Sequence, residues 1–140
     1  MKIAFAALLW LALSASAPPA ALNVSVEGLR STKGQVRLCL TRDPHHFPDC
    51  QGDPNAQSMT APATSSAMRF QALPSGDYAI ALFHDENGNG RLDRMLGIPS
   101  EGVGFSRNPR LMFGPPRFAA AAFALCTGES EQVVKLRYFL

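Results

Sequence analysis

Apolar and polar residues alternate through 22–29, with Leu22, Val24 and Val26 on one side and Asn23, Ser25 and Glu27 on the other. A period of two predicts a strand with one buried face. Residues 30–34 read as a turn and 35–41 alternate again, so the two strands are expected to form a hairpin. Residues 43–63 are polar, carry several prolines, and read as a long loop. A third strand is predicted over 67–73, followed by a turn at Pro74, Ser75, Gly76 and Asp77, where proline fixes φ and glycine permits unusual dihedrals. The run 78–83 is apolar at almost every position, which places it centrally in a sheet. Residues 84–117 are rich in Gly, Pro and Asn and read as one long loop. The stretch 118–126 is apolar, with alanines from 119 to 122, and is compatible with helix or strand; 131–139 closes the chain as a strand. Six or seven short strands separated by turns predict an all-β fold, a single-domain antiparallel β-sandwich over 22–140.

The first residues carry a different pattern. Lys2 is followed by an apolar run over 3–13 and by small residues at 14–17, the three-part pattern of a secretory signal peptide over 1–17. Ala15 and Ala17 fit the peptidase rule, but Pro18 would follow that cut. Cleavage is therefore placed between 16 and 21, after Ser16, Ala17 or near Ala20. The run is too short to span a bilayer, and no later stretch is longer, so no transmembrane segment is expected in the mature chain. The implied location is the periplasm or the medium. The 140 residues, 46% of them hydrophobic, suffice for one domain and argue against disorder. Thirteen basic residues against eleven acidic, with no basic run, argue against a nucleic-acid partner.

Export bears on the three cysteines, Cys39, Cys50 and Cys126. In an oxidising compartment the nearest pair, Cys39 and Cys50, is expected to form a disulfide across a loop carrying His45 and His46. A zinc site built from Cys39, His45, His46 and Cys50 is the rival, at a spacing that matches no standard zinc motif. Cys126 ends an apolar run and reads as a small core residue or a free thiol.

The most informative stretch is 84–93. Asp85, Asn87 and Asn89 stand at relative positions one, three and five, Gly90 at six, Arg91 at seven, where a backbone carbonyl could serve, and Asp93 at nine. This is the front half of a calcium loop, because Ca²⁺ takes six to eight oxygen ligands and alternating Asp and Asn around a glycine turn can supply them. Position twelve, normally a bidentate Glu, is Leu96; Glu101 is the nearest later carboxylate and would have to fold back. The alternative is an Asx-rich turn whose side chains cap backbone groups. Further on, Phe105, Phe113 and Phe118 are expected to tuck against the core or to line a ligand groove with Arg107 and Asn108, and Arg110, at its rim.

Several segments together resemble a family of exported bacterial proteins known as a domain of unknown function, DUF2141. They are Val24-Ser-Val-Glu-Gly-Leu-Arg30, Gly34-Gln-Val-Arg-Leu-Cys39, Leu73-Pro-Ser-Gly-Asp-Tyr-Ala79, Phe83-His-Asp-Glu-Asn-Gly-Asn-Gly-Arg-Leu-Asp93, Gly97-Ile-Pro-Ser-Glu-Gly102 with Gly104-Phe105, and Phe113-Gly-Pro-Pro-Arg-Phe118. The resemblance implies a periplasmic or secreted β-sandwich and brings no catalytic residue with it. Asp85 to Asp93 is also distantly similar to the calcium loops of B-type repeats in bacterial adhesins. The turn 73–78 resembles that of transthyretin-like sandwiches, whose likeness carries no function by itself.

Catalytic patterns are sparse. No Gly-x-Ser-x-Gly elbow surrounds Ser100 or Ser106. His84 beside Asp85 suggests acid–base chemistry, yet neighbours on a strand point to opposite faces. The expectation is therefore a non-catalytic binding or structural module of the cell envelope, with Ca²⁺ as its one candidate cofactor and an envelope protein or glycan as partner. The competing expectation is a hydrolase using His84 and Asp85.

Overall fold

The structure, a computed structural model, describes residues 18–65 and 67–140. The expected signal peptide at 1–17 lies outside them. Among the described residues ten strands build two facing sheets and a small hairpin. The first sheet holds β1 (Ala20–Glu27), β4 (Ala67–Leu73) and β10 (Gly128–Lys135) in the order β10-β1-β4. The second holds β2 (Gln35–Thr41), β3 (Gln57–Pro62), β5 (Gly76–Asp85) and β8 (Val103–Phe105) in the order β3-β2-β5-β8. Strand β9 (Phe123–Leu125) pairs with the first residues of β5. Strands β6 (Arg94–Met95) and β7 (Ile98–Pro99) pair with each other alone, and a short helix α1 (Phe118–Ala121) precedes β9.

The main core lies between the sheets. Leu22, Val24 and Val26 of β1 meet Leu38 and Leu40 of β2, Ile80 and Leu82 of β5, and Val134 of β10 in one buried cluster. This explains why the expected β1–β2 hairpin does not form. An alternating strand needs one apolar cover, and the facing sheet supplies it as well as a neighbour would. The chain crosses between sheets at 28–34. The sandwich is also not antiparallel throughout: β1 and β10 run parallel, Ala20 opposite Gly128 and Glu27 opposite Lys135.

Three segments read as irregular contain regular structure. Residues 43–63 hold a 3-10 turn at Pro44–His46 and the edge strand β3, in which Ala61 is the buried residue, so its pattern resembles that of a loop. Residues 84–117 contain the end of β5 together with β6, β7 and β8. The apolar run 118–126 is divided, helix first and strand after. In β9, Phe123 and Leu125 point inward, which leaves Cys126 in the outward phase; it is an exposed free thiol, not a core residue.

Strand β5 is buried on both faces. Its outer face carries a second, smaller core of Ala79, Ala81, Val103, Phe105 and Ala121. Its cover comes from loops and from α1: Phe47, Leu92, Leu111 and Phe118 pack on it. The Cys39–Cys50 disulfide forms as expected, with Cα atoms 5.8 Å apart. It ties the loop after β2 to this face, and Phe47 from that loop meets Phe105 and Phe118 edge-on at 6.0 and 5.9 Å.

Candidate functional site

The loop from Glu86 to Gly102 is built on one buried carboxylate. Asp85, at the end of β5, is fully buried. Its Oδ2 accepts from Arg37 Nε at 2.7 Å and from Gly90 N at 2.9 Å, and its Oδ1 accepts from Asn89 N at 3.2 Å. Burial pushes the Asp85 carboxyl up, but the Arg37 guanidinium and the two backbone donors outweigh it and hold the group below the ordinary carboxylate range. A carboxylate caught by successive backbone N–H groups winds the chain into a tight turn. Asp93 closes the same turn: Asn87 and Asn89 donate their amides to it at 2.7 and 2.9 Å. Those two amides lower its pKa.

Glu101 does fold back. Buried itself, it accepts from Glu86 N at 2.7 Å and from Asp93 N at 3.1 Å, clamping the two ends of the 86–93 turn. Leu96 stands where a calcium loop carries its last carboxylate because that position is the tip of the β6–β7 hairpin. Met95 pairs with Ile98, so Leu96 and Gly97 form a two-residue turn with φ of +51° and +80°. Two successive positive φ values are the signature of a type I′ turn, whose favoured sequence is Asn-Gly. A leucine there is both conformationally costly and 98% exposed.

The six residues considered for calcium thus gather in part. Asp85, Asn87, Asn89, Asp93 and Glu101 belong to one hydrogen-bonded loop, and Arg91 projects from it with an exposed side chain. The charge neutralising Asp85 comes from Arg37, and the Glu101 oxygens are occupied by backbone donors. Among the described residues no three His, Cys, Asp or Glu side chains cluster at metal-binding distances.

His84 and Asp85 do face opposite sides of β5. His84 is fully buried on the inner side, with Nδ1 2.8 Å from the Tyr138 hydroxyl and Nε2 2.6 Å from the Lys33 carbonyl. The carbonyl can only accept, so Nε2 donates to it, and Nδ1 meets the Tyr138 hydroxyl, whose oxygen accepts from Arg30 N at 3.2 Å. Burial raises the Tyr138 pKa. Arg30 lies over the Tyr138 ring at 4.4 Å and ion-pairs with Glu86, whose pKa the guanidinium lowers. The hydrolase pairing of His84 with Asp85 is therefore absent. Ser106 is committed too: its buried hydroxyl accepts from Ile80 N and donates to the Ala121 carbonyl. His46 pairs with Asp43, and His45 is exposed.

The residues expected to form one groove are dispersed. Phe105 is in the outer core. Phe118 is half-buried and borders a shallow cleft with Pro44, Phe47 and Pro116. Arg107 donates to the Ala122 carbonyl. Asn108 uses its amide like a strand residue, donating to Val133 O and accepting from Lys135 N along the edge of β10. Phe113 joins neither core nor groove and is 97% exposed. Beside it Met112 is exposed, as are Met95 and Ile98 beside Leu96. These tips were missed in the sequence because Leu96 registers there only as a missing ligand; an apolar Met-Leu-Gly-Ile run inside a polar segment was the available signal.

The fold and its loops define the class, an all-β sandwich whose outer sheet carries structured loops with protruding apolar tips. Within that class the chain belongs to the family described as an uncharacterised protein conserved in bacteria (DUF2141), whose model matches residues 24–134. No curated protein and no solved structure matches the chain.

Proposed function

We propose that this protein is an exported, non-catalytic binding module of the bacterial cell envelope, whose working surface is the pair of loops at 86–102 and 107–117. The observation that carries the reading is the contrast within each loop. Polar knots and the feet Leu92 and Leu111 fix the bases, while Leu96 and Phe113 stand almost wholly in solvent at the tips. Exposed large apolar groups on a firm base are a binding feature, since they contribute nothing to the fold that carries them. Export is supported by the disulfide and by the bacterial family, and no described helix is long and apolar enough to cross a membrane. A non-catalytic role is supported by the commitment of His84, Asp85 and Ser106 to structural hydrogen bonds.

The test is fractionation of the producing bacterium. The native protein is expected with the envelope, outside the cytoplasm, and a variant with the tip residues Met95, Leu96 and Ile98 changed to Thr, Asn and Thr is expected in the soluble extracellular or periplasmic fraction. A cytoplasmic location, or envelope association indifferent to the tip, would overturn the reading.

Calcium is a second reading, favoured by one observation: the Glu101 carboxylate returns to the loop and lies against Asp93 N. Calorimetric titration of chelator-treated protein with Ca²⁺ tests it. Saturable heat that disappears in Asp93→Ala supports a metal-stiffened loop. No heat in the native protein makes the 85–93 loop a self-closed turn.

A further inference from the structure

The partner can be specified from the chemistry around the tips. The segment 91–117 carries five arginines, Arg91, Arg94, Arg107, Arg110 and Arg117, against two acids, Asp93 and Glu101. Both acids are consumed internally by the hydrogen bonds described above. Among the described residues the ion pairs are formed by Arg30, Arg37, His46 and Arg69, so none engages these five arginines. The segment is therefore strongly cationic in a chain of net charge only +2.

Charge and apolar tips occur together, twice. Arg94 immediately precedes Met95 and Leu96, and Arg110 precedes Leu111, Met112 and Phe113. Leu96 and Phe113 are 98% and 97% exposed, and both loops are footed on the same outer core of β5 through Leu92 and Leu111. Two clefts of the described surface, one bordered by Pro44, Phe47 and Phe118 and one by Gly76, Asp77 and Cys126, include neither Leu96 nor Phe113. A folded protein partner recognises a shaped patch with a desolvated centre. A lipid surface needs only protruding apolar groups to enter the acyl boundary and a cationic collar to meet anionic headgroups.

We infer that the two loops dock this protein on an anionic phospholipid surface, with Leu96 and Phe113 inserted and Arg94 and Arg110 among the headgroups. The inference rests on the binding-module reading and names its partner. Arg94 and Arg110 then act as point charges, so binding must weaken with salt.

The test is co-sedimentation of the purified protein with vesicles of phosphatidylcholine alone and with about one-third phosphatidylglycerol. Native protein is expected on the anionic vesicles, released at high salt, and not on the neutral ones. Leu96→Asn with Phe113→Ser should lower partitioning at least tenfold, roughly the loss of two buried apolar side chains. Asparagine is the residue a type I′ turn prefers, so this variant keeps the hairpin. Arg94→Gln with Arg110→Gln should lower partitioning roughly tenfold at low salt. All variants share one N-terminus, so a change reports on the tips. Melting temperatures within a few degrees of native confirm that each is folded.

Absence of binding, or binding that the tip variants leave unchanged, overturns the inference. So does a native dimer that Leu96→Asn converts to monomer without affecting vesicles, because a second copy would then be the cover. If vesicle binding fails while tip-dependent envelope association persists, the lipid assignment falls and the module reading stands; if both fail, both fall.

Discussion

The two faces of β5 solve burial in different ways. Tyr78, Ile80, Leu82 and His84 point inward, where a second sheet covers them. Ala79, Ala81, Phe83 and Asp85 point outward, where loops and the short helix α1 cover them. The inner face is held by apolar area and one satisfied histidine. The outer face is held by discrete devices: a disulfide, a buried carboxylate and a serine replacing a strand partner. Area is diffuse and tolerant of rearrangement, whereas a device fails when one member is removed. That difference assigns stability to the inner face and leaves the outer one free to shape loops.

The largest effect should come from the inner face. Ile80→Ala removes a fully buried side chain at the centre of the core and should cost about 2–5 kcal/mol. Phe118→Ala, on the outer face, removes a half-buried ring and should cost about 1–2 kcal/mol. Urea denaturation of both variants measures the gap. Equal losses would mean that the outer cluster is a full core and the distinction is wrong.

Next is the disulfide. Replacing Cys39 and Cys50 by serine frees a loop of eleven residues' separation and should cost about 3 kcal/mol on the chain-entropy account. The same change loosens Phe47 from Phe105 and Phe118, so amide exchange should rise in 42–56 and 118–121 while β1, β4 and β10 stay protected. Uniform loss of protection would contradict a loop-specific role.

Acid sharpens the comparison further. The pKa values of Asp85, Glu86 and Asp93 are lowered in the folded protein. A depressed carboxylate stabilises fully above its unfolded value and loses that contribution as pH falls through its folded value. The outer loop should therefore weaken below about pH 4 before the apolar inner core does. Asp85→Asn should cost roughly 1–3 kcal/mol at neutral pH, because Arg37 keeps partial solvent access, and the gap to native protein should narrow at about pH 3. A pH-independent gap would mean that the loss is one of packing, not of charge.

The inner face was the legible one. Period-two alternation located β1, β2 and β4, and an unbroken apolar run located β5, each to within two residues at either end. Alternation could not say whether Leu22 and Leu38 meet as neighbours in a sheet or across the sandwich, and the hairpin expectation failed there. The outer face has no period. Its order depends on contacts such as Asp85 with Arg37, forty-eight positions apart, and Asn108 with Lys135, twenty-seven apart. Cys39 with Cys50 was readable because it is local and chemically unique. Of the candidate site, the Asp85–Asp93 turn and the return of Glu101 were visible in the spacing. The exposed tip was not, since exposure is a property of the finished fold.

The smallest effect is the most discriminating. Every inner-face substitution should destabilise, but Leu96 should be replaceable at a gain. Holding an L-residue other than glycine or asparagine in the left-handed region costs about 1–2 kcal/mol. Glycine removes that cost but adds about 0.5–1 kcal/mol of chain entropy, so Leu96→Gly should be neutral or stabilising by up to about 1 kcal/mol. Asparagine adopts the type I′ conformation with less entropic loss, so Leu96→Asn should be the most stable of the three. Melting temperatures should therefore rank Asn above Gly and Gly at or above Leu. A tip that lowers stability and is still leucine is strain held for a purpose outside the fold. If Leu96→Asn instead melts below the native protein, Leu96 is packed against something in solution, and the tip belongs with the inner face as a structural residue.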